Sequence, residues 1–283
     1  ISKNIEENKK SLFSKLVFKG GTLLTRAHLN YHRISEDLDF TYLENEMLNK
    51  LSAKQRKKAI TNITDELVGA INKISEKFNL DFSIDKTNEK YCKVMDRKNV
   101  YVFKIYYRPV YGSEEFIKFE VNFNDELIHP VLYSYIKHLF DDELIKDLEF
   151  TENLKIQIRK NIPCYDLREI AGEKIRAILT RPAIKERDLF DLFLISNTLN
   201  IKKSLDKEKI VNKIVSSKSF IKGLPEKIKE NIETLTKNRD SIIEERAKLS
   251  LIEIKEKEYL KFENDMIPFL VEIGELALLK FTN

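Results

Sequence analysis

The first ordered pattern in the chain is a short apolar run, Leu16-Val17-Phe18, which ends in Lys19-Gly20-Gly21 and passes into the helix-forming stretch 22–29. A run of that length bounded by glycines predicts a strand, a tight turn and a helix. Residues 34–42 then alternate apolar and polar positions and suit a second strand, whereas 49–78 changes to helical periodicity. Three further strands are predicted at 80–85, 100–107 and 116–123. Gly112-Ser113 lies between the last two and marks a hairpin. These elements predict a mixed sheet flanked by helices.

The pattern changes in the second half. A last strand is predicted at 154–158, followed by Pro163, and Asp166-Leu167-Arg168-Glu169 has the form of a capping box at a helix start. From there to the end the chain reads as helix, punctuated by Pro182, Gly223-Leu224-Pro225 and Pro268. The expected class is therefore α+β, with a core domain over 1–165 and a helical domain over 166–283. No internal repeat or low-complexity linker interrupts either.

Composition narrows the class further. Only 7 glycines and 6 prolines occur among 283 residues, which fits few tight turns and long regular segments. Apolar residues make up 42%, with 17 Phe and 11 Tyr, enough for a sizeable core and against intrinsic disorder. Cys92 and Cys164 stand alone, which excludes a disulfide framework and a zinc cluster of paired cysteines; a reducing cytoplasm is the expected setting. The most apolar stretch, 269–281, is broken by Glu272, Glu275 and Lys280, so no membrane span is expected. The first residues are polar and no secretory signal is read there.

The net charge of +4 conceals local imbalance. Residues 47–64 carry Lys50, Lys54, Arg56, Lys57 and Lys58 with no acid, and 201–222 carries seven lysines against Asp206 and Glu208. Either stretch suits a phosphate-facing patch on a nucleic-acid-binding surface, or a solvated helix face.

The residues with chemical potential cluster early. Gly20-Gly21, at the turn from strand to helix, lets the backbone approach a ligand and favours an anion such as a triphosphate, although a purely structural turn uses the same pair. Ser35-Glu36-Asp37-Leu38-Asp39 begins 14 residues after Gly21. In an extended chain Asp37 and Asp39 point to one face, and two close carboxylates call for a hard divalent cation unless they simply face solvent. In 116–123, Ile117, Phe119, Val121 and Phe123 make an apolar face and leave Glu120 opposite. Glu120 is a third acid for a metal site, or a partner for Lys118 or Lys104.

The helical half has its own polar residues in apolar places. On a helix starting at Leu167, Lys174 falls about 20° from Leu167, inside the apolar arc. Burying an ammonium is costly without a partner, so Lys174 is expected to meet a carboxylate or a bound phosphate. Asp188 and Asp191 fall within about 40° of Ile184 and Ile195 on the next helix. An internal ion pair with Lys174 is one reading of all three.

Taken together, KGGTLLTRAHLNYHRISEDLDF, the Glu120 strand and EKIRAILTRPAIKERDLFDLFLI resemble the AbiEii/AbiGii-type toxin nucleotidyltransferases, part of the wider nucleotidyltransferase superfamily. The superfamily pattern is a Gly-Gly or Gly-Ser turn, then Asp-x-Asp, then a third acid on a later strand. The matching blocks span roughly residues 16–195, and the 15 residues between Gly21 and Asp37 exceed the generic spacing. The resemblance implies that Lys19, Gly20, Gly21, Thr22 and Ser35 contact the nucleotide and that Asp37, Asp39 and Glu120 bind Mg2+ or Mn2+. It further implies that Lys174 grips the triphosphate from the helical domain, which contributes to the active-site cleft, and that Asp188 is the late catalytic aspartate, with Asp191 as its companion.

The activity so implied is transfer of a nucleotide from an NTP to an acceptor hydroxyl, with the tRNA 3′ end foremost, by a cytoplasmic toxin that has a separate antitoxin. A small-molecule or protein hydroxyl as acceptor, and a catalytically inactive nucleotide-binding relative, are the competing readings.

Overall fold

The computed structural model describes residues 12–29, 33–137, 161–219, 221–238, 242, 250–253 and 255–282. The chain forms two compact units. The first takes in the described residues of Ile1–Ala27, Ser35–Glu126 and Val131–Tyr165; the second takes in those of His28–Ile34, Leu127–Pro130 and Asp166–Asn283. The predicted strand at 154–158 lies outside the described residues.

In the first unit, seven described strands form one sheet: β1 (Leu16–Lys19), β2 (Leu38–Tyr42), β3 (Cys92–Met95), β4 (Val100–Tyr107), β5 (Glu115–Asn122), β6 (Leu132–Ser134) and β7 (Ile162–Cys164). Their order is β3-β4-β5-β2-β1-β7-β6. The β2–β5 and β1–β7 pairs are parallel and the remainder antiparallel, which makes the sheet mixed. Chain order supplies the other elements: α1 (Gly20–Leu23) follows β1 without a linker and continues as a π-helical turn over Leu24–His28, and α2 (Asn45–Asn49) and α3 (Ala53–Lys77) follow β2.

The long helix α3 starts where its sequence says it should. Ser52 accepts a hydrogen bond from the backbone of Gln55, whose side chain accepts from the backbone of Ser52, so two of the unpaired donors at the helix start are satisfied reciprocally. Ile60, Leu67, Val68 and Ile71 from its buried stripe join Phe103, Phe119, Val121 and Phe123 from β4, β5 and the end of the hairpin in one core. Phe18, Phe40 and Phe119 stack across β1, β2 and β5 at centroid distances of 5.0 and 4.8 Å, and Phe103 lies 6.4 Å beyond Phe119. Because side chains alternate along a strand, this row directs Asp39 and Glu120, the neighbours of Phe40 and Phe119, to the opposite face.

Three expectations about strands change. The second strand begins at Leu38 instead of at 34, and the described residues of His28–Ile34 belong to the second unit. Residues 80–85 do not form a strand, and only Asp81 bridges to Tyr106. The Asp85 side chain instead accepts from the Thr87 backbone and hydroxyl at 2.9 and 2.7 Å, a local turn that competes with the ladder. β3, β6 and β7 are three or four residues long, too short to show a period.

The second unit is helical: α4 (Leu167–Thr180), α5 (Glu186–Ser196), α6 (Ile201–Ser204), α7 (Lys207–Ser216), α8 (Leu224–Lys237) and α9 (Glu256–Thr282). Asp166 caps α4 by accepting from Arg168 N at 2.8 Å. The expected capping box is not completed. Glu169 turns inward, accepts from the Ile128 and His129 backbones at 2.8 Å each and pairs with Lys213 at 2.5 Å. Pro268 does not end a helix either but sits inside α9. Met266, Ile267, Phe269, Leu270 and Ile273 on either side of it are all buried, and that packing outweighs the one backbone hydrogen bond a proline forfeits.

The stripe on α3 gives a paired test. Leu67 is fully buried and Ile74, on the same helix, is 47% exposed. Leu67→Ala is expected to cost about 2–5 kcal/mol and Ile74→Ala no more than about 0.5 kcal/mol, read from urea unfolding midpoints.

Candidate active site

The geometry around Gly20 begins with backbone conformation. Gly20 has φ +78°, the left-handed region that favours glycine. A methyl group built there would be driven into the Asp39 carboxylate and would lie 3.1 Å from the Asp39 Cβ. Gly20 is therefore glycine for two independent reasons, and the second is that Asp39 fills its side-chain space. Two residues on, the Thr22 hydroxyl is 3.0 Å from that of Ser35, which ties the start of α1 to the segment leading into β2.

The sheet brings the three predicted acids together. Asp39 lies opposite Lys19 in the antiparallel pairing with β1 and opposite Glu120 in the parallel pairing with β5. Asp37 precedes β2 by one residue and shares the face of Asp39. All three carboxylates converge on one cation, the Lys118 ammonium, at 3.5 Å from Asp37, 3.3 Å from Asp39 and 3.1 Å from Glu120. Lys118 was one of two lysines expected to reach Glu120; Lys104 pairs in register with Lys118 on β4. Burial pulls the Lys118 pKa down, but attraction to Asp39, Glu120 and Asp37 and the hydrogen bond to Glu120 outweigh it and hold the ammonium above the ordinary lysine range.

Among the described residues no group of three or more His, Cys, Asp or Glu side chains stands in metal-holding geometry. The donor set is nonetheless of the right chemistry for a hard divalent ion: all oxygen, all carboxylate, and already gathered around a cation. Lys118 fills the middle of that set.

Lys19, expected at the nucleotide, directs its ammonium to the Asp125 carboxylate. Asp125 also accepts from the Thr41 hydroxyl at 3.3 Å, Thr41 is 2.6 Å from the Tyr165 hydroxyl, and the Asn45 amide donates to the Asp125 carbonyl at 2.9 Å. This buried network was not legible in the sequence; its only trace is an aspartate just beyond an apolar strand. Cys92 and Cys164 are both buried, and neither is in a disulfide.

The second unit assembles a separate charged cluster. Lys174 on α4 pairs with Asp188 at 2.7 Å and Asp191 at 2.6 Å, so the expected partner is a pair of carboxylates on α5. Arg33 holds both oxygens of Asp191, at 2.7 and 2.9 Å, and Arg181 pairs with Asp188. Desolvation lowers the Lys174 pKa and Arg33 adds to that, yet Asp188 and Asp191 prevail and keep it raised. Arg33 and Arg181 were not among the predicted residues.

The lysine-rich stretches divide. At the start of α3, Lys54, Lys57 and Lys58 are exposed, as is Lys50 before it, while Arg56 turns inward to Asn99 and the Phe123 carbonyl at 2.6 and 2.9 Å. In 201–222, Lys202 pairs with Asp265 and Lys207 with Glu272, each at 2.5 Å, and Lys213 is buried against Glu169 and Glu173. Much of the second stretch is structural. No helix among the described residues is long and apolar enough to cross a membrane.

Comparison with known proteins gives the family and the fold. The family model described as "Nucleotidyl transferase AbiEii toxin, Type IV TA system" matches residues 6–275. Among solved structures, MenT4, a nucleotidyltransferase toxin from Mycobacterium tuberculosis H37Rv, is similar in fold. Its TM-score is 0.54 at 14% identity, over 97% of this chain and 86% of that one. A search of curated proteins finds no match.

Two outcomes follow for the clusters. Gly20→Ala is expected to destabilise the protein by about 1–3 kcal/mol, from the positive φ and the displaced Asp39 carboxylate together, measured by urea unfolding. Lys174→Met leaves two buried aspartates with one cation fewer and is expected to cost about 3–5 kcal/mol, measured by calorimetry.

Proposed function

The chain belongs to the AbiEii family of nucleotidyltransferase toxins of type IV toxin–antitoxin systems, and from that premise we propose that Asp37, Asp39 and Glu120 form its metal-dependent catalytic centre and that the acceptor is the 3′ end of a tRNA. The observation that carries this reading is the convergence of the three carboxylates on one cation, on the polar face of the sheet and beside the Gly20 turn.

The reaction is a displacement at phosphorus. An acceptor hydroxyl oxygen forms a bond to the α-phosphorus of the NTP, the bond from that phosphorus to the bridging oxygen breaks, and pyrophosphate leaves. Asp37, Asp39 and Glu120 would hold Mg2+ or Mn2+, and the ion when bound would offset the charge that develops on the phosphate oxygens and the leaving group. Glu120, on β5 and 20% exposed at its side chain, is positioned to take the proton of the attacking hydroxyl. Gly20, Gly21 and Thr22 present backbone and hydroxyl donors to the phosphates, and the hydrogen bond between the Thr22 and Ser35 hydroxyls keeps those donors in place beside Asp39. Lys19 acts through Asp125 by fixing the end of β1. In the helical unit, Lys174 is the cation kept for phosphate oxygens, and Asp188 and Asp191 set its position. The setting is the cytoplasm, with a separate antitoxin as protein partner.

Transfer RNA is favoured over a small-molecule acceptor by the lysines at and just before the start of α3. Lys50, Lys54, Lys57 and Lys58 are exposed, and such a row supplies salt-dependent affinity for a phosphate backbone.

Incubation with total tRNA, Mg2+ and each labelled NTP in turn tests the proposal. Label is expected on RNA with one nucleotide, weakening as salt rises. Asp39→Asn is expected to lower the rate by at least about a thousandfold with the melting temperature nearly unchanged. Full activity in that variant, or labelling of protein or small molecules alone, would remove the metal centre or the tRNA assignment respectively.

A further inference from the structure

Lys118 is a residue to which the catalytic reading above assigns no role. It lies two positions before Glu120 on β5 and shares its face, and its ammonium is the point on which all three acids converge. A divalent ion ligated by those carboxylates would need the same oxygens, and an ammonium 3.1–3.5 Å from all three groups already occupies the space between them. Two cations cannot share it, because at such separations they repel each other strongly in a partly buried site.

Exposure decides what kind of cation Lys118 is. Its side chain is 28% exposed and that of Asp37 is 55% exposed, with Asp39 and Glu120 at 19% and 20%. The ammonium therefore has an open side toward which its flexible stem can withdraw. The contacts are also long for ion pairs, unlike the 2.6–2.7 Å contacts of Lys174, because one cation is spread over three acids.

Resting on the catalytic reading above, we propose that Lys118 is a resident counter-ion that holds Asp37, Asp39 and Glu120 together in the empty enzyme and competes with the divalent metal for them. Metal entry expels the ammonium from the carboxylates. The enzyme's apparent metal affinity is then set partly by this lysine, and the acids stay preorganised instead of repelling one another apart when no metal is bound.

The test is Mn2+ binding to the whole protein without nucleotide, followed by electron paramagnetic resonance, together with thermal melting in EDTA. Wild type, Lys118→Met, Lys118→Gln and Lys118→Arg are compared, with Asp39→Asn in each background to assign the binding to this site. Lys118→Met and Lys118→Gln are expected to bind Mn2+ at least about tenfold more tightly than wild type, to melt lower in EDTA, and to recover that loss as Mn2+ is added. Lys118→Arg is expected to bind no tighter than wild type.

Unchanged or weaker Mn2+ binding in Lys118→Met and Lys118→Gln overturns the proposal while leaving the metal centre standing. Mn2+ binding that survives Asp39→Asn, or is absent from every variant, overturns the metal centre itself and this proposal with it.

Discussion

Three carboxylates held on one face of one sheet repel each other, and much of the first unit answers that constraint. Asp39 and Glu120 are directly opposite across a parallel pair, and Asp37 is two residues from Asp39. Left alone, such a group would protonate or splay apart. Here the backbone pairing sets Asp39 and Glu120 side by side, so the charge has to be met by a cation. Lys118 meets it from the same strand that carries Glu120, with a pKa raised because the three acids outweigh its burial.

The opposite face of the sheet makes that placement possible. Phe18, Phe40 and Phe119 stack in a row behind Lys19, Asp39 and Glu120, and α3 covers the core that they border. Aromatic rows of this kind stabilise neighbouring strands through cross-strand contact, so the apolar face fixes the register that places the acids. Asp39 then fills the space that a side chain at Gly20 would need. The turn, the strand pairing and the acid are one interlocked unit, which is why the glycine and the aspartate have to be understood together.

Much of this was legible in the sequence because it depends on short-range periodicity. Alternation in 116–123 separated Glu120 from Phe119 and Val121, and the i, i+2 spacing put Asp37 with Asp39. Two kinds of feature were not legible. Strands of three or four residues, such as β6 and β7, carry too little pattern, and local side-chain turns such as that of Asp85 and Thr87 defeat an apparent strand. The other kind is contact between residues distant in sequence. Glu169 looked like half of a capping box, but its partners are Lys213 and two backbone groups more than 39 residues away. Arg33 sits in a stretch that reads as the approach to a strand, and its partner Asp191 is 158 residues on.

The second unit faces the same electrostatic problem and solves it differently. Asp188 and Asp191 are fully buried, and they are met by Lys174 at 2.6–2.7 Å, with Arg33 and Arg181 supplying further positive charge. Removing any cation there strands a buried charge, which is why such groups are strongly coupled and hard to rearrange. The acids of the first unit have a single lysine, longer contacts and an open side. Two carboxylate clusters in one chain thus differ in how their positive charge is held: in one it is enclosed by burial and short contacts, and in the other it sits at longer contacts on an open side.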